Sequence, residues 1–492
     1  MEKETLVSKL TEYFCKENNI DLNVNRTVEK VNARELIIKN RIDLVAKMKY
    51  IEHREKKYDL TFIKKLYTAH IEAFSLGTFT EPGNEDKNSI NKYFRTFDHL
   101  IDHIKMNGVD ENISVIPVGR NNTILDGAHR VAIAAYFDLE VPIVRFDDIT
   151  ATFDAVHFKE NLLPEKYIDY LVSEYCKLKS NIYIACVWPR GSKRKKRTDI
   201  EKLIKATGDL IHMKDIKLNY SGLSNLIPQI YSAEHWIGTI ENHYLGARNK
   251  IDACYSKNEM LTLYIFECDC PEKVLNLKNE IRDLCKVGKH SIHITDTAEE
   301  VEQVTKLLLN QNSVDFLNTG KPFYVKRFNK QLNQFKKQIL DQGFSIDECI
   351  IDSSSTMALY GLKDLQKIGF MALSDKHEAA LENFSVIEKS KVSKMSLILN
   401  PDYHFIYNDL KFVKVTLDLN KNTFTRILIK IKMMKNSSIS QLFDRTFYTM
   451  KRMNRSSKLI ARRKIVMLLK KIAVYEILKE ISKFVNKKGS RV

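Results

Sequence analysis

The sequence predicts an α/β protein: two domains of mixed helix and strand, then a basic helical tail. Three observations predict it. The chain has 492 residues, too many for one ordinary core, so two or three domains are expected. Short apolar runs of strand length, at 115–118, 182–187 and 261–266, alternate with amphipathic runs of helical length. Finally, the basic charge is confined to the end. Residues 430–492 hold 18 Lys plus Arg against 3 Asp plus Glu, which is +15 of a formal +17 and leaves about +2 for everything before them. A hydrophobic content of 44% excludes a disordered chain, and a nearly neutral body argues against a nucleic-acid coat.

Taken in order, residues 4–18 predict an amphipathic helix with Leu6, Leu10, Tyr13 and Phe14 on its buried side. The helical pattern resumes over 34–50 and 60–75. A polar loop follows at 77–87, marked by Gly77, Pro82 and Gly83. Beside a phosphate site this loop can offer Glu81 as a base and Lys87 as an anion ligand; otherwise it is a solvated turn. A helix is expected over 90–105, then a strand at 115–118, a turn at Arg120-Asn121-Asn122 and a second strand at 123–125. Asp126-Gly127 opens a helix rich in alanine (Ala132, Ala134, Ala135), and 142–146 returns as a strand.

The turn at 126–130 carries the chemistry. Uncapped amides and the positive end of a helix dipole favour an anion. Arg130 can grip a phosphate in a fork, His129 can position it or relay a proton, and Asp126 can accept one. Gly127 lets the backbone approach the ligand. The plainer alternatives are a helix cap at Asp126 and structural pairing of His129 and Arg130 with Asp147 or Asp148.

Ile124-Leu125-Asp126-Gly127-Ala128-His129-Arg130, followed by an alanine-rich helix, resembles the ParB/sulfiredoxin fold, whose members with Asp-Gly-x-His-Arg here include nucleotide-dependent kinases of free serine. The resemblance is specific over about thirty residues and extends over roughly the first 150. It implies ATP, ADP or CTP with magnesium at this turn, and phosphoryl transfer as one of the fold's activities. Ala128 stands where sulfiredoxins carry a reactive cysteine, which disfavours thiol repair.

The first domain is expected to span 1–190, with a helical stretch at 157–178 and the strand at 182–187. The basic run from Pro189 to Arg197 has no interleaved aromatics to stack bases, and reads more readily as a solvated loop near a domain boundary than as a nucleic-acid patch. The second domain spans 198–425. His290 and His293 are expected on a strand, where their spacing puts them on opposite faces and disfavours a shared metal; no metal site is predicted. Asp296 and Glu299 suggest a capping box. A strand entering Ser353-Ser354-Ser355 and a helix resembles the phosphate-cradling turn of the nucleotidyltransferase fold. The paired carboxylates that fold needs are absent near Lys367-Ile368-Gly369-Phe370, so the domain reads as a degenerate relative whose serines either bind a ligand or cap a helix. With a hairpin-like stretch at 403–412, it loosely resembles bacterial proteins associated with surface-polysaccharide assembly.

The eight cysteines form no Cys-x-x-Cys pair and suit free thiols in a reducing cytoplasm. No signal peptide or spanning segment is expected. In the tail, 426–492, the segment 458–485 mixes apolar residues with Lys and Arg. It suits an anionic membrane surface, at about 1 kcal/mol per basic residue, or a docked helix; RNA binding is less expected. The functional expectation is a cytoplasmic, membrane-peripheral kinase: a nucleotide-dependent phosphotransferase for a small hydroxyl compound such as a surface-glycan precursor. Asp126, His129 and Glu81 would be catalytic, with Gly127, His129, Arg130 and Lys87 on the phosphates. A non-catalytic nucleotide-binding scaffold is the alternative. Partition-type DNA binding is less expected, because no basic body or helix-turn-helix follows the first domain.

Overall fold

The computed structural model describes residues 9–21, 24–81, 83–84, 87–242, 244–361, 367–381, 384–386 and 392–414. The predicted tail at 426–492, with its 458–485 segment, lies outside the described residues. The fold is mixed α/β and, among the described residues, is built on three small sheets.

The first sheet has the order β1–β3–β2, formed by β1 (Val28–Asn32), β2 (Ile116–Gly119) and β3 (Glu140–Phe146). β1 pairs antiparallel with β3, and β2 pairs parallel with it. Around the sheet lie α1 (Glu12–Glu17), α2 (Asp43–Glu55), α3 (Thr61–Phe74), α4 (Ile90–Asn107) and α5 (Ala128–Tyr136). The parallel pair requires a crossover, which α5 supplies. β1 has no sequence signal, because its half-exposed Val-Glu-Lys-Val-Asn run carries only two apolar residues. The helix expected over 34–50 is split. Asn32 caps a 3₁₀ turn at Ala33–Leu36, and α2 begins only after Arg41 has turned inward to meet Asp43. The strand expected at 123–125 is reduced to one bridge, Ile124 to Val118, because Asn121 and Asn122 both take left-handed conformations and turn the chain back on β2.

The helix expected over 157–178 is two, α6 (Ala155–Glu160) and α7 (Glu165–Cys176). Pro164 precedes the second, and its ring cannot continue the first.

The second sheet is antiparallel with the order β5–β6–β4–β7: β4 (Ile182–Val187), β5 (Asp209–Ile216), β6 (Leu261–Glu267) and β7 (Ile292–Ile294). β4 lies within the stretch 1–190, yet its partners β6 and β7 belong to 198–425, so the backbone ladder crosses that boundary. Helices α8 (Arg194–Thr207), α9 (Tyr220–Ile230), α10 (Leu245–Cys254), α11 (Pro271–Cys285) and α12 (Ala298–Leu308) complete this unit. α8 and α11 cover one face through Ile200, Ile204, Val274 and Ile281. The other face joins a continuous core that runs from Tyr67 and Phe97 through Tyr175 and Trp188 to Leu226. The basic run is not a free loop, since α8 begins inside it. Lys196 donates to the Leu284 and Cys285 carbonyls at the end of α11 (2.7 and 2.9 Å), and Arg197 pairs with Asp215.

The third unit follows with α13 (Gln311–Thr319), α14 (Lys326–Asp341), β8 (Cys349–Ile351), α15 (Ser353–Leu359), β9 (Gly369–Ala372), α16 (Asp375–Ala380), β10 (Ser385–Val386), α17 (Lys394–Leu399), β11 (His404–Tyr407) and β12 (Leu410–Val413). Its sheet order is β10–β9–β8–β12–β11. The hairpin read at 403–412 is present. Asn408 and Asp409 are both left-handed, as a two-residue hairpin turn requires. None of the eight cysteines is paired, and six are buried.

Candidate functional site

The loop after β2 folds back along that strand, with the Gly119 amide donating to the Thr123 carbonyl and Leu125 to Pro117 (2.7 and 2.9 Å). This return carries Asp126 and Gly127 to the level of Ser114 and Ile116. Gly127, at φ +82°, is the cap residue of α5, and no side chain caps the helix. The first-turn amides of Ala128, His129 and Arg130 are therefore available, as an anion site needs. A Cβ on Gly127 would stand 2.7 Å from both the Arg130 guanidinium and the Ile116 Cδ1. The glycine thus lets Arg130 fold over its own turn, where the guanidinium also donates to the Ser114 hydroxyl at 2.5 Å.

Asp126 is engaged on both oxygens: one accepts from the Gly127 amide (2.5 Å) and the other from the Thr11 hydroxyl (3.1 Å). His129 packs edge-on to Phe97 with ring centroids 4.7 Å apart, and its Nε2 lies 2.8 Å from the Tyr67 hydroxyl. Burial, reinforced by Lys47 and Lys87, holds the imidazole well below its ordinary pKa, so it is neutral at pH 7. Arg130 pairs with neither Asp147 nor Asp148; among the described residues no carboxylate lies within 4 Å of it.

Two described residues of the 77–87 loop stand near this turn, where the Glu81 charge acts on Arg130 and that of Lys87 on His129. Glu81 and Lys87 form an ion pair across the loop, and the Glu81 amide donates to the Lys87 carbonyl at 3.1 Å. Lys87 also stands 5.6 Å from the Tyr93 ring centre. Burial lowers the Arg130 pKa, while the Asp126 and Glu81 charges oppose that shift. The six residues singled out in the first unit, Glu81, Lys87, Asp126, Gly127, His129 and Arg130, are thus brought into one neighbourhood.

Beneath them lies a buried polar chain that sequence reasoning missed. Arg41 grips Asp43 with two bonds of 2.9 Å and donates to the Ile124 carbonyl in the return strand. Lys47 reaches the same carboxylate at 2.7 Å and His70 Nε2 at 3.1 Å. His70 Nδ1 donates in turn to the Tyr67 carbonyl (2.8 Å). Burial alone would raise Asp43, but Arg41 and Lys47 overcome it and hold the carboxyl well below the usual range. Burial and Lys47 push His70 down to about 3, so its Nε2 is an acceptor. The only available signal was Arg-x-Asp-x-x-x-Lys, whose i, i+4 Asp–Lys pair reads from sequence as a surface bridge.

The serines of the third unit are placed differently. Asp352, not a serine, caps α15, accepting from the Ser355 amide at 2.7 Å. Ser355 is fully buried, and its hydroxyl accepts from the Gly369 amide (3.3 Å), so it faces the core and β9; Ser353 and Ser354 are half-buried on the first turn of the seven-residue helix. The capping box is shifted by one residue. Thr297 caps α12, and Glu300 accepts from the Asp296 amide at 2.8 Å.

A cleft of about 540 Å³ opens where the three units meet. It is lined by matched charges: Lys49 with Glu174 (3.0 Å), Lys177 with Glu174 (2.7 Å) and Lys306 with Asp347 (2.9 Å). Burial, aided by Lys306 and Lys177, brings Lys411 down to about 8 despite Asp347. Its charges satisfy one another and hold the units together. Among the described residues, no helix is long and apolar enough to cross a membrane.

No family model matches the chain, and neither does any curated protein or solved structure.

Proposed function

We propose that the protein is a nucleotide-dependent phosphotransferase acting on a small hydroxyl compound, with a surface-glycan precursor as the acceptor class, and that the turn before α5 is its phosphate site. The observation that carries this reading is the uncapped first turn of α5, with Arg130 folded over Gly127 and the Glu81–Lys87 pair beside it. The Asp-Gly-Ala-His-Arg resemblance supports it.

The roles follow from the contacts. Phosphoryl transfer depends mainly on positioning and charge neutralisation. The α5 amides and Arg130 receive the phosphates. Lys87 can exchange Glu81 for a phosphate oxygen, which frees Glu81 to take the acceptor's proton. Asp126, engaged by Gly127 and Thr11, shapes the turn. His129, neutral and tied to Tyr67, is a positioning residue. The nucleotide is ATP, ADP or CTP. Magnesium would come with the nucleotide, held chiefly by its phosphates and water.

A second reading, a nucleotide-binding scaffold without turnover, is favoured by the engagement of both carboxylates at the turn. The test uses the full chain, because β4 ties the first 190 residues to the second sheet. Melting temperature is measured with ATP, ADP, CTP and GTP, each with magnesium, for wild type, Arg130→Ala and Glu81→Gln. A shift with one nucleotide that Arg130→Ala reduces supports the phosphate site. Turnover that Glu81→Gln abolishes while the shift survives selects the enzyme; a shift without turnover selects the scaffold. No shift with any nucleotide overturns both.

A further inference from the structure

A second cavity, of about 480 Å³, lies at the β7 edge of the second sheet, between the end of α9, the 3₁₀ turn at His235–Ile237, α10, α11 and β7. One wall is aromatic. Tyr231 and Trp236 lie with ring centroids 5.3 Å apart, and Trp236 is 45% exposed.

The opposite side is basic. Lys250, Arg282 and Lys289 line it, and among the described residues none of the three has a carboxylate within 4 Å. Lys250 is buried; it donates to the Lys289 carbonyl at 2.7 Å and lies 5.1 and 5.9 Å from the Tyr231 and Trp188 ring centres, but has no carboxylate partner among the described residues. Unpaired buried cations are unfavourable. Three carboxylates also line the cavity, Glu234, Asp296 and Glu300; among the described residues only Asp296 lies within 4 Å of one of its lysines or arginines, meeting Lys278 at 3.4 Å.

The floor holds polar atoms with nothing to bond. His293 is 7% exposed, yet its Nε2 has no hydrogen-bond partner and stops 3.9 Å from Glu300. The Arg282 Nε and His290 Nδ1 are likewise buried without a hydrogen-bond partner. Three such nitrogens around one cavity, in a fold that satisfies most of its buried polar groups, point to a missing acceptor. The sequence spacing placed His290 and His293 on opposite faces of a strand. In the fold His290 belongs to a 3₁₀ turn, Gly288–His290, and both line this cavity.

We infer that this cavity binds a nucleoside phosphate, its phosphate held by Lys250, Arg282, Lys289, His290 and His293 and its base stacked on Trp236. The size lies within the range of small-ligand sites. Arginine and imidazole donors suit phosphate oxygens, and every base has a face for an aromatic side chain. Burial lowers the Lys250 pKa, and the neighbouring Arg282, Lys289 and Lys278 add to that shift, which marks a local excess of positive charge that an anion would relieve. This site is separate from the α5 turn and does not depend on its reading.

The test titrates inorganic pyrophosphate, ADP and UDP into full-length Arg130→Ala protein, so that the α5 site is silent, and follows heat and tryptophan fluorescence. The expected result is nucleotide binding that quenches Trp236, with the quench absent in Trp236→Phe. Arg282→Gln should weaken binding about ten-fold or more. Lys289→Gln, at an exposed side chain whose loss leaves the Lys250 bond to its carbonyl intact, should also weaken it and guards against misfolding of the first variant. No binding, or affinity unchanged in both variants, overturns the phosphate site. Equal affinity for pyrophosphate and nucleotide without quenching overturns the stacked base.

Discussion

The Tyr67 hydroxyl and His129 Nε2 share a 2.8 Å hydrogen bond, so α3 holds the first turn of α5 through a single polar contact. The contact is set among rings: Phe97 meets His129 at 4.7 Å between centroids and stacks on Tyr67 at 5.5 Å. Tyr67→Phe keeps the rings and strands the imidazole nitrogen. A buried donor or acceptor left without its partner costs about 1–3 kcal/mol, so the urea midpoint of the full chain should fall accordingly. An unchanged midpoint would mean that water or another group replaces the hydroxyl.

The buried Asp43 supports the same turn from below. Asp43→Asn leaves Arg41 and Lys47 without their carboxylate, in a place where their side chains are 3% and 4% exposed. Breaking a buried pair this way costs about 3–5 kcal/mol. Lys47→Met, which keeps the two-bond Arg41–Asp43 grip, should cost less. If the two variants prove equally stable, the network is not organised around the carboxylate.

The buried histidines set a pH dependence. His70, His293 and His404 are each pushed down to about 3, chiefly by burial. Their folded pKa values lie below the unfolded value near 6.5, so between the two the unfolded chain binds more protons. Their stabilising contribution is complete above pH 6.5 and is lost as pH falls toward 3. From pH 7.5 to 5.5 each neutral histidine should remove about 1.4 kcal/mol. Urea midpoints at the two values check the sign and size; a flat profile would show that these rings titrate in the fold as they do in the unfolded chain.

The N-terminal unit was legible where local chemistry decides the structure. The turn at 126–130 and, in the third unit, the 403–412 hairpin are legible because a glycine at positive φ and a pair of left-handed residues fix the backbone there. What stayed hidden depends on distant partners. The half-exposed β1 becomes a strand only because β3 offers an edge, and Arg41, Asp43 and Lys47 look like surface charges until Ile124 and His70 close over them. The same reason explains His290 and His293: strand periodicity parted them, and a 3₁₀ turn returned both to one cavity.

Gly127→Ala tests the phosphate turn most directly. The residue's φ of +82° is one that side chains with a Cβ rarely adopt, at a cost of about 1–2 kcal/mol. The added Cβ would also stand 2.7 Å from the Arg130 guanidinium and from the Ile116 Cδ1. Both are the ends of side chains that can move, so the protein should still fold, with a melting temperature lower by a few degrees. Arg130, however, can no longer fold over the α5 amides. With the second cavity disabled by Arg282→Gln, the expected outcome is a folded variant whose melting temperature ignores the nucleotide that shifts the Arg282→Gln protein. If Gly127→Ala retains the full nucleotide shift in that background, the α5 turn does not hold the phosphate, and Arg130→Ala should then leave the shift unchanged as well.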